Sequence, residues 1–234
     1  MIMRKIISGI MLAGIFVSVI MTSCDTVTPY ENEEEPNVSI WPMNVGNSWT
    51  YESYLYKGYI EENGEIIYNQ YPIGTSSLII YAYKEIQGYK GYTFNETHEE
   101  ESIVLLNLDD EGNVTQAEFY KNDFICNSIL YKKNVKKGDT WFVCTNEYNT
   151  TGEIRYSCIA SDTIISTPLG NFHCKGYRHD VRIALSSGYM YMGYEDYFSE
   201  GVGLVKQIIY YIQSLTPYLC FEQKEYILTD YHLK

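Results

Sequence analysis

The sequence is short of positive charge. Lys and Arg number 17 against 30 Asp and Glu, which gives a formal net charge of −13 at pH 7. A surface that binds nucleic acid needs a basic patch to neutralise phosphates, whereas an acidic surface repels phosphates and anionic lipid headgroups. Acidic residues outnumber basic ones over the chain as a whole. The composition therefore excludes nucleic acid from the expected partners.

Helical patterning is absent after residue 40. Short runs of alternating apolar and polar residues are separated there by Gly, Asn and Asp, and the chain contains 25 Tyr. Tyr, Val, Ile and Thr pack well on half-buried pleated surfaces. We therefore predict an all-β fold of about 12 antiparallel strands, arranged as a sandwich or an open half-barrel. In the first half, the pattern predicts separate strands at 65–71 and 76–85 and a last strand at 114–120.

Motifs for catalysis and metal binding are also missing. His173 and His179 lie on one predicted strand, roughly 20 Å apart, which is too far to share a metal ion. No Ser occupies a Gly-x-Ser-x-Gly turn. Glu195 and Asp196 alternate to opposite faces of a strand, so they form no catalytic carboxylate pair on that strand. We expect no enzymatic activity, no catalytic residues, no metal site and no cofactor.

The amino terminus has the pattern of an export signal. In residues 1–23, Arg4 and Lys5 precede an apolar run that ends in small residues before Cys24. The run is shorter than the roughly 20 residues that a membrane-spanning helix needs. Met21-Thr22-Ser23-Cys24 resembles the lipobox of bacterial lipoproteins. The resemblance implies removal of residues 1–23 and a lipid anchor on Cys24.

An acidic tether is predicted for residues 24–39. This segment is rich in Glu and has too little apolar surface to fold. Acidic residues after the lipidated Cys resemble the surface-export signal of Bacteroidetes lipoproteins, which implies an outer-membrane anchor. A periplasmic and a surface-exposed position both stay open. Removal of the signal takes away Arg4 and Lys5 and no acidic residue, so 15 basic residues then face 30 acidic ones and the charge becomes −15.

Five groups of short motifs in the first half recur in the same order in the second half. The order predicts a β domain at 40–234 that contains an internal duplication, with halves at 40–130 and 131–234, although chance similarity of turns remains the alternative. The matched motifs are Gly46-Asn47-Ser48-Trp49 with Gly138-Asp139-Thr140-Trp141, Asn63-Gly64-Glu65-Ile66 with Thr151-Gly152-Glu153-Ile154, Ile79-Ile80 and Lys90-Gly91-Tyr92 with Ile164-Ile165 and Lys175-Gly176-Tyr177, Gly112-Asn113-Val114 with Gly203-Leu204-Val205, and Phe124-Ile125-Cys126 with Tyr218-Leu219-Cys220.

A family resemblance rests on three segments. They are Val45-Gly46-Asn47-Ser48-Trp49-Thr50-Tyr51, Pro168-Leu169-Gly170-Asn171-Phe172 and Gly201-Val202-Gly203-Leu204-Val205. Their order resembles that in a loose group of uncharacterised bacterial lipoproteins and covers nearly the whole chain after the signal. These motifs are turns and strand starts, so the resemblance implies a fold and a cellular location but implies no activity.

Aromatic residues are the remaining functional signal. Tyr189, Tyr191 and Tyr197 share one face of a predicted strand, where they form either an exposed strip that stacks on a ligand or ordinary cross-strand packing. We interpret the chain as a membrane-anchored lipoprotein with a non-enzymatic binding or interaction domain. Its partners, besides the membrane, are a glycan, a protein or an apolar ligand. The alternative is a carrier that holds an apolar ligand in an open barrel, as some lipoprotein carriers do.

One disulfide is predicted from the hairpin at Thr150-Thr151-Gly152. Gly152 suits the left-handed position of a three-residue loop. That loop places Asn149 opposite Glu153 and Cys144 opposite Cys158, close enough for a bridge.

The states of the other cysteines are predicted from their positions in the repeat. Cys126 and Cys220 hold matching places in the repeat and form a second candidate pair, which leaves Cys174 as a buried thiol. The alternative is that all five cysteines other than Cys24 stay reduced.

Overall fold

The computed structural model describes residues 39–60, 66–94, 102–121, 123–145, 152–185, 188–215 and 218–234. For some strand residues beside the gaps, only the backbone is described. The predicted signal peptide, Cys24 and all but the last residue of the predicted tether lie outside the described residues. The described part contains no helix that is long and apolar enough to cross a membrane.

All the regular structure that the model describes is β-strand, as the alternating sequence predicts. The strands join into one antiparallel sheet with the order β6-β5-β4-β3-β2-β1-β12-β11-β10-β9-β8-β7. Each strand therefore pairs with its sequence neighbours, except that β1 pairs with β12 and that β6 and β7 form the two edges. The strands are β1 Ser48–Ile60, β2 Ile66–Ile86, β3 Tyr89–Phe94, β4 Ser102–Leu108, β5 Val114–Tyr120, β6 Asp123–Tyr131, β7 Thr140–Thr145, β8 Gly152–Thr167, β9 Gly170–Leu185, β10 Gly188–Ser199, β11 Gly203–Leu215 and β12 Tyr218–His232.

The predicted all-β class and the number of strands are confirmed, but two strands of the first half differ. The segments predicted as separate strands at 65–71 and 76–85 belong to the single strand β2. Gly74, with a φ of 138°, lies where the register to β1 shifts, because a bulge absorbs an extra residue without ending the strand. The total is still twelve, because the structure contains an additional strand, β6, which was not predicted.

The sheet is curled around its larger hydrophobic cluster, and a smaller cluster of Leu105, Ala117 and Phe119 is separate from it. A flat sheet of this width would hold its two edges far apart, yet side chains from the edges and the centre pack into the same cluster. Tyr131 of β6 donates a hydrogen bond to Asp196 of β10 over 2.8 Å, which also requires the curl. No strand pairing joins β6 to β7 in the described residues, so the sheet is not closed. The cluster includes Trp49, Val114, Tyr131, Trp141, Tyr177, Phe198 and Leu228.

The two motifs that contain Trp49 and Trp141 form the same local structure. The Gly46 N–H donates to the Ile80 carbonyl on β2, and the Gly138 N–H donates to the Cys158 carbonyl on β8. Both glycines have a positive φ, 91° and 98°, which the turn requires and which glycine adopts without steric cost. The shared turn agrees with the repeat at these two places. The duplication of whole halves stays a prediction.

The predicted disulfides are wrong. Cys144 is bonded to Cys126, with Cα atoms 6.2 Å apart, and Cys158 is a buried free thiol. Pairing of β7 with β8 stops at Thr145 and Gly152, which places Cys144 opposite Glu153 and not opposite Cys158. The prediction had placed Asn149 opposite Glu153, so the observed register differs from it by five residues. Because Cys126 is already bonded, the second candidate pair with Cys220 is excluded as well.

The disulfide joins the two edge strands, β6 and β7. Sequence reasoning did not anticipate this contact, because it depends on the curl of the whole sheet. Cys174 is a buried free thiol, as predicted. Only the backbone of Cys220 is described.

Candidate binding cavity

A cavity of about 380 Å³ lies on the inner face of the curled sheet. It is lined by five aromatic side chains, which come from β1, β6, β10, β12 and the segment before β1. Ser76, Ser77, Leu78, Leu204 and Gln207 complete the wall. A second cavity of about 310 Å³ shares Trp41 and Leu78 with the first. The aromatic lining consists of Trp41, Tyr51, Tyr131, Phe198 and Tyr226.

Trp41 reaches the cavity because the segment before β1 is fastened to the β10–β11 turn. The Gly201 N–H donates to the Ser39 carbonyl over 2.8 Å, and the Trp41 N–H donates to Ser39 Oγ over 3.0 Å. A Cβ on Gly203 would lie 2.8 Å from Trp41 Cδ1, so only glycine permits this packing. Trp41 is 6% exposed, and its buried Nε1 has no hydrogen-bond partner among the described residues.

Three of the rings form a concave corner. Trp41 and Phe198 have centroids 5.0 Å apart at 58°, and Tyr131 and Phe198 have centroids 4.5 Å apart at 52°. Trp41 and Tyr131 meet at 62° with centroids 6.5 Å apart. Rings tilted in this way pack edge to face against one another, and each of the three also forms part of the cavity wall.

Tyr51 and Ser76 form a neighbouring part of the wall. They are directly opposite each other in the pairing of β1 with β2, which puts both side chains on the inner face. The Tyr51 hydroxyl donates to the Leu204 carbonyl over 3.0 Å. Burial raises the pKa of Tyr51 well above its ordinary value, and the charge of Asp196 raises this pKa further. Tyr51 is therefore a neutral hydrogen-bond donor.

Asp196 lies one hydrogen bond behind the wall. It is 1% exposed, and it accepts hydrogen bonds from the Tyr131 hydroxyl over 2.8 Å and from Gln207 Nε2 over 2.7 Å. Burial raises the pKa of Asp196, while the hydrogen bonds from Gln207 and Tyr131 lower it. Two donors directed at one carboxyl group match the acceptor-only character of a carboxylate.

The predicted opposition of Glu195 and Asp196 is confirmed. Asp196 is buried inside, whereas Glu195 lies on the outer face and pairs with Arg178 over 3.3 Å. Tyr197, one of the predicted strip residues, shares this outer face and donates to Glu195 over 3.0 Å. The side chains of Tyr189 and Tyr191 lie outside the described residues, so the aromatic strip stays a prediction.

His173 and His179 both lie on one strand, β9, as predicted, and their side chains are in two different environments. His173 Nδ1 is 3.0 Å from Asp162 Oδ1 at the surface. His179 is buried between the rings of Tyr156 and Tyr194, with centroids 4.3 and 4.5 Å away. Within the described ranges, no group of three His, Cys, Asp or Glu side chains could hold a metal ion. The absence of a metal or cofactor remains an expectation.

The residues that build the cavity were missed at the sequence level. Trp41 precedes the first strand, in a segment that showed no periodic pattern. Asp196 was considered only as a partner of Glu195. An apolar Ile40-Trp41-Pro42 run between an acidic segment and a Gly turn was the available signal for Trp41, because a large apolar residue there needs a buried place.

No protein-family model matches the chain, and no curated protein sequence matches it. Two solved structures do match. A candidate lipoprotein from Parabacteroides distasonis ATCC 8503 is 13% identical with a TM-score of 0.38, and the match covers 83% of this chain and 99% of that chain. A candidate exported protein with a YmcC-like fold from Bacteroides fragilis NCTC 9343 is 10% identical with a TM-score of 0.34, over 84% of this chain and 100% of that chain. No residue role is transferred from either protein.

Proposed function

We propose that this protein is a lipid-anchored protein of the cell envelope whose curled sheet binds a small ligand and performs no chemistry on it. The observation that carries the proposal is the cavity of about 380 Å³. Ligand sites are typically concave spaces of roughly 300–1,000 Å³ with aromatic walls and a few placed polar groups. The Trp41, Tyr131 and Phe198 corner together with Ser76 and Gln207 has this character.

The lining supports binding and not catalysis. Ser76 and Ser77 are the hydroxyl-bearing aliphatic side chains in the described wall, and among the described residues no His, Lys, Asp or Glu lines the cavity beside them. A serine nucleophile needs a base within hydrogen-bonding reach. The proposal that the protein is not an enzyme rests on this arrangement.

The proposed cellular location rests on the sequence. Cys24 is the proposed lipid anchor, in the outer membrane, on either its periplasmic or its external side. Two acyl chains anchor a protein stably, because each buried methylene contributes about 0.8 kcal/mol. The mixed lining of Ser, Gln and Tyr fits an amphipathic ligand better than an acyl chain, which needs a wholly apolar wall. The apolar-ligand carrier is therefore an outcome of the test below.

Heavy-atom quenching tests the cavity. The full-length processed protein, in nanodiscs of phosphatidylethanolamine and phosphatidylglycerol, is titrated with 4-bromophenol while tryptophan fluorescence is recorded against empty nanodiscs. We expect saturable quenching, because bromine in the cavity contacts Trp41. Ser76→Phe fills the inner face and should weaken the apparent affinity by about tenfold or more.

Thr75→Phe is the matched control. Thr75 faces Glu52 in the pairing of β1 with β2, on the outer face, so the same bulk there should leave quenching unchanged. Equal behaviour of the two variants, or no saturation in the wild type, would contradict the proposal. Displacement by decanoate at lower concentration than by any polar competitor would favour the carrier instead.

A further inference from the structure

The buried carboxylate of Asp196 has no cationic partner in the part of the chain that the structure describes. Other carboxylates nearby do have one: Glu195 pairs with Arg178, Glu200 with Lys175 and Glu225 with Lys206. Asp196 is bonded only to the neutral groups of Tyr131 and Gln207. A buried charge is costly unless it is paired, so this site lacks a positive charge.

Both neutral groups bonded to Asp196 also line the cavity. Tyr131 and Gln207 each point one end at the carboxylate and form part of the wall. The negative charge is therefore separated from the cavity by a single layer of side chains. No Lys, Arg or His among the described side chains lines the cavity, so this part of the wall does not repel a positive ligand.

The corner formed by Trp41, Tyr131 and Phe198 also favours a cationic ligand. The faces of Trp, Tyr and Phe rings carry negative potential and attract organic cations within about 6 Å of the ring centroid. Trp41, Tyr131 and Phe198 surround one side of the cavity at mutual angles of 52° to 62°. The part of each ring that the other two leave uncovered forms the wall, so a cation in the cavity would contact all three residues on one side.

We propose that the cavity binds an organic ammonium cation, with the rings of Trp41, Tyr131 and Phe198 against its alkyl groups and Asp196 as the buried counter-charge. This inference rests on the proposed ligand-binding function. A quaternary or highly substituted ammonium group suits the wall, because it is large, weakly hydrated and has few or no N–H groups to satisfy. A bare metal ion does not suit it, because the described residues of the wall include no carboxylate ligand.

The test compares choline with its uncharged isostere, 3,3-dimethylbutan-1-ol. Both compete against 4-bromophenol on the full-length protein in the same nanodiscs, whose lipids contain no quaternary ammonium group. We expect choline to displace the probe at a concentration at least about tenfold lower than the isostere does.

Two substitutions that each remove one negative charge distinguish a specific effect of Asp196 from an effect of the protein's overall negative charge. Asp196→Asn should reduce the preference for choline over the isostere to less than about threefold, while Glu195→Gln, on the opposite face of the same strand, should leave it unchanged. The urea midpoint of Asp196→Asn is measured in parallel. It should equal or exceed that of the wild type, because an amide is less costly to bury than a carboxylate.

A third variant does not depend on Asp196. Phe198→Leu removes one ring of the corner but keeps an apolar side chain, so it should weaken choline severalfold and weaken the isostere less. Equal displacement by choline and the isostere in the wild type would overturn the cation proposal and leave the binding cavity standing. Probe binding without displacement by either compound would also overturn it. Failure of 4-bromophenol itself to bind would overturn both proposals.

Discussion

Adjacent acidic residues on β10 show how strongly burial controls a side chain. Glu195 and Asp196 have the same charge, but alternation along the strand puts Glu195 beside Arg178 at the surface and Asp196 behind the cavity wall. Burial raises the pKa of Asp196. As the pH rises above the ordinary Asp value of 3.8, the unfolded chain therefore gives up this proton before the folded chain does, and the stability that Asp196 contributes falls. A residue retained at this disadvantage is a good candidate for a functional role.

His179 is the second residue whose burial has consequences for stability. Its ring lies between Tyr156 and Tyr194, nearly parallel to both, at 16° and 7°. Burial lowers the pKa of His179 from 6.5 to about 4, and the Asp180 carboxylate opposes this change. As the pH falls from 6.5 towards 4, the unfolded chain binds a proton that the folded chain excludes, so stability is lost in that window.

We predict that His179→Phe removes this loss. Phe preserves the stack of three rings and cannot be protonated, so its free energy of unfolding relative to the wild type should rise by up to about 3 kcal/mol between pH 7 and pH 4. Urea unfolding at both pH values measures the change. Asp196 is present in both proteins and cancels in the comparison.

His179→Gln distinguishes titration from packing. Gln loses the ring stack and should be less stable at pH 7, yet it should share the weaker dependence on acid. If both variants keep the acid dependence of the wild type, His179 is not the group responsible.

At the scale of elements, the edge strands β6 and β7 have the largest effect on whether the sheet keeps its curl. The sheet leaves them without a shared ladder in the described residues, and unpaired edges can join other chains. Within the described residues, the Cys126–Cys144 disulfide and a hydrogen bond from Trp141 Nε1 to the Ile129 carbonyl over 3.1 Å join them directly. A hydrogen bond from Gln116 Nε2 on β5 to the Cys144 carbonyl over 2.8 Å also holds β7 to the strand next to β6. These links keep the curl that creates the cavity.

We predict that replacing both Cys126 and Cys144 with Ser lowers the free energy of unfolding by about 3 kcal/mol, because the bridge closes a loop with a sequence separation of 18. Denaturant unfolding with and without dithiothreitol measures the loss. Reduced wild type should resemble the double variant, and the double variant should not respond to the reductant.

Alkylation provides the independent check. In wild type unfolded without reductant, Cys158 and Cys174 should be modified and Cys126 and Cys144 protected. Modification of Cys144 under these conditions would show that the bridge is absent.

At the scale of the whole molecule, net charge affects which partners the protein attracts. The full sequence has a formal net charge of −13, and the proposed removal of residues 1–23 would make it −15, with 15 basic and 30 acidic residues. A strongly negative surface favours solubility, repels anionic polymers and draws in cations. The last effect agrees with the proposed ligand.

We predict that Cys24 is the first residue of the mature protein and carries lipid. Intact-mass measurement on protein extracted from membranes should show the mass of residues 24–234 plus acyl groups. Cys24→Ser should lack the acyl mass and leave the membrane fraction, since no thiol is then present to modify. A wild-type chain that begins at another residue, or one without acyl groups, would refute this prediction.

Much of the fold follows from local properties of the sequence. Alternation of apolar and polar residues locates strands such as β5 at Val114–Tyr120, and it separates Glu195 from Asp196. Glycines with positive φ locate the turns before Trp49 and Trp141. These features depend on a few neighbouring residues, so the sequence alone determines them.

The cavity and the disulfide depend on which distant strands meet, and only the tertiary structure decided that. The Tyr51 hydroxyl reaches a carbonyl at Leu204, 153 residues away, and Cys144 meets Cys126 because the sheet curls until its edges approach. The register of β7 with β8 differs by five residues from the predicted one, which puts Glu153 and not Cys158 opposite Cys144. Register and curl result from side-chain packing summed over all twelve strands, and no short segment of the sequence contains that sum.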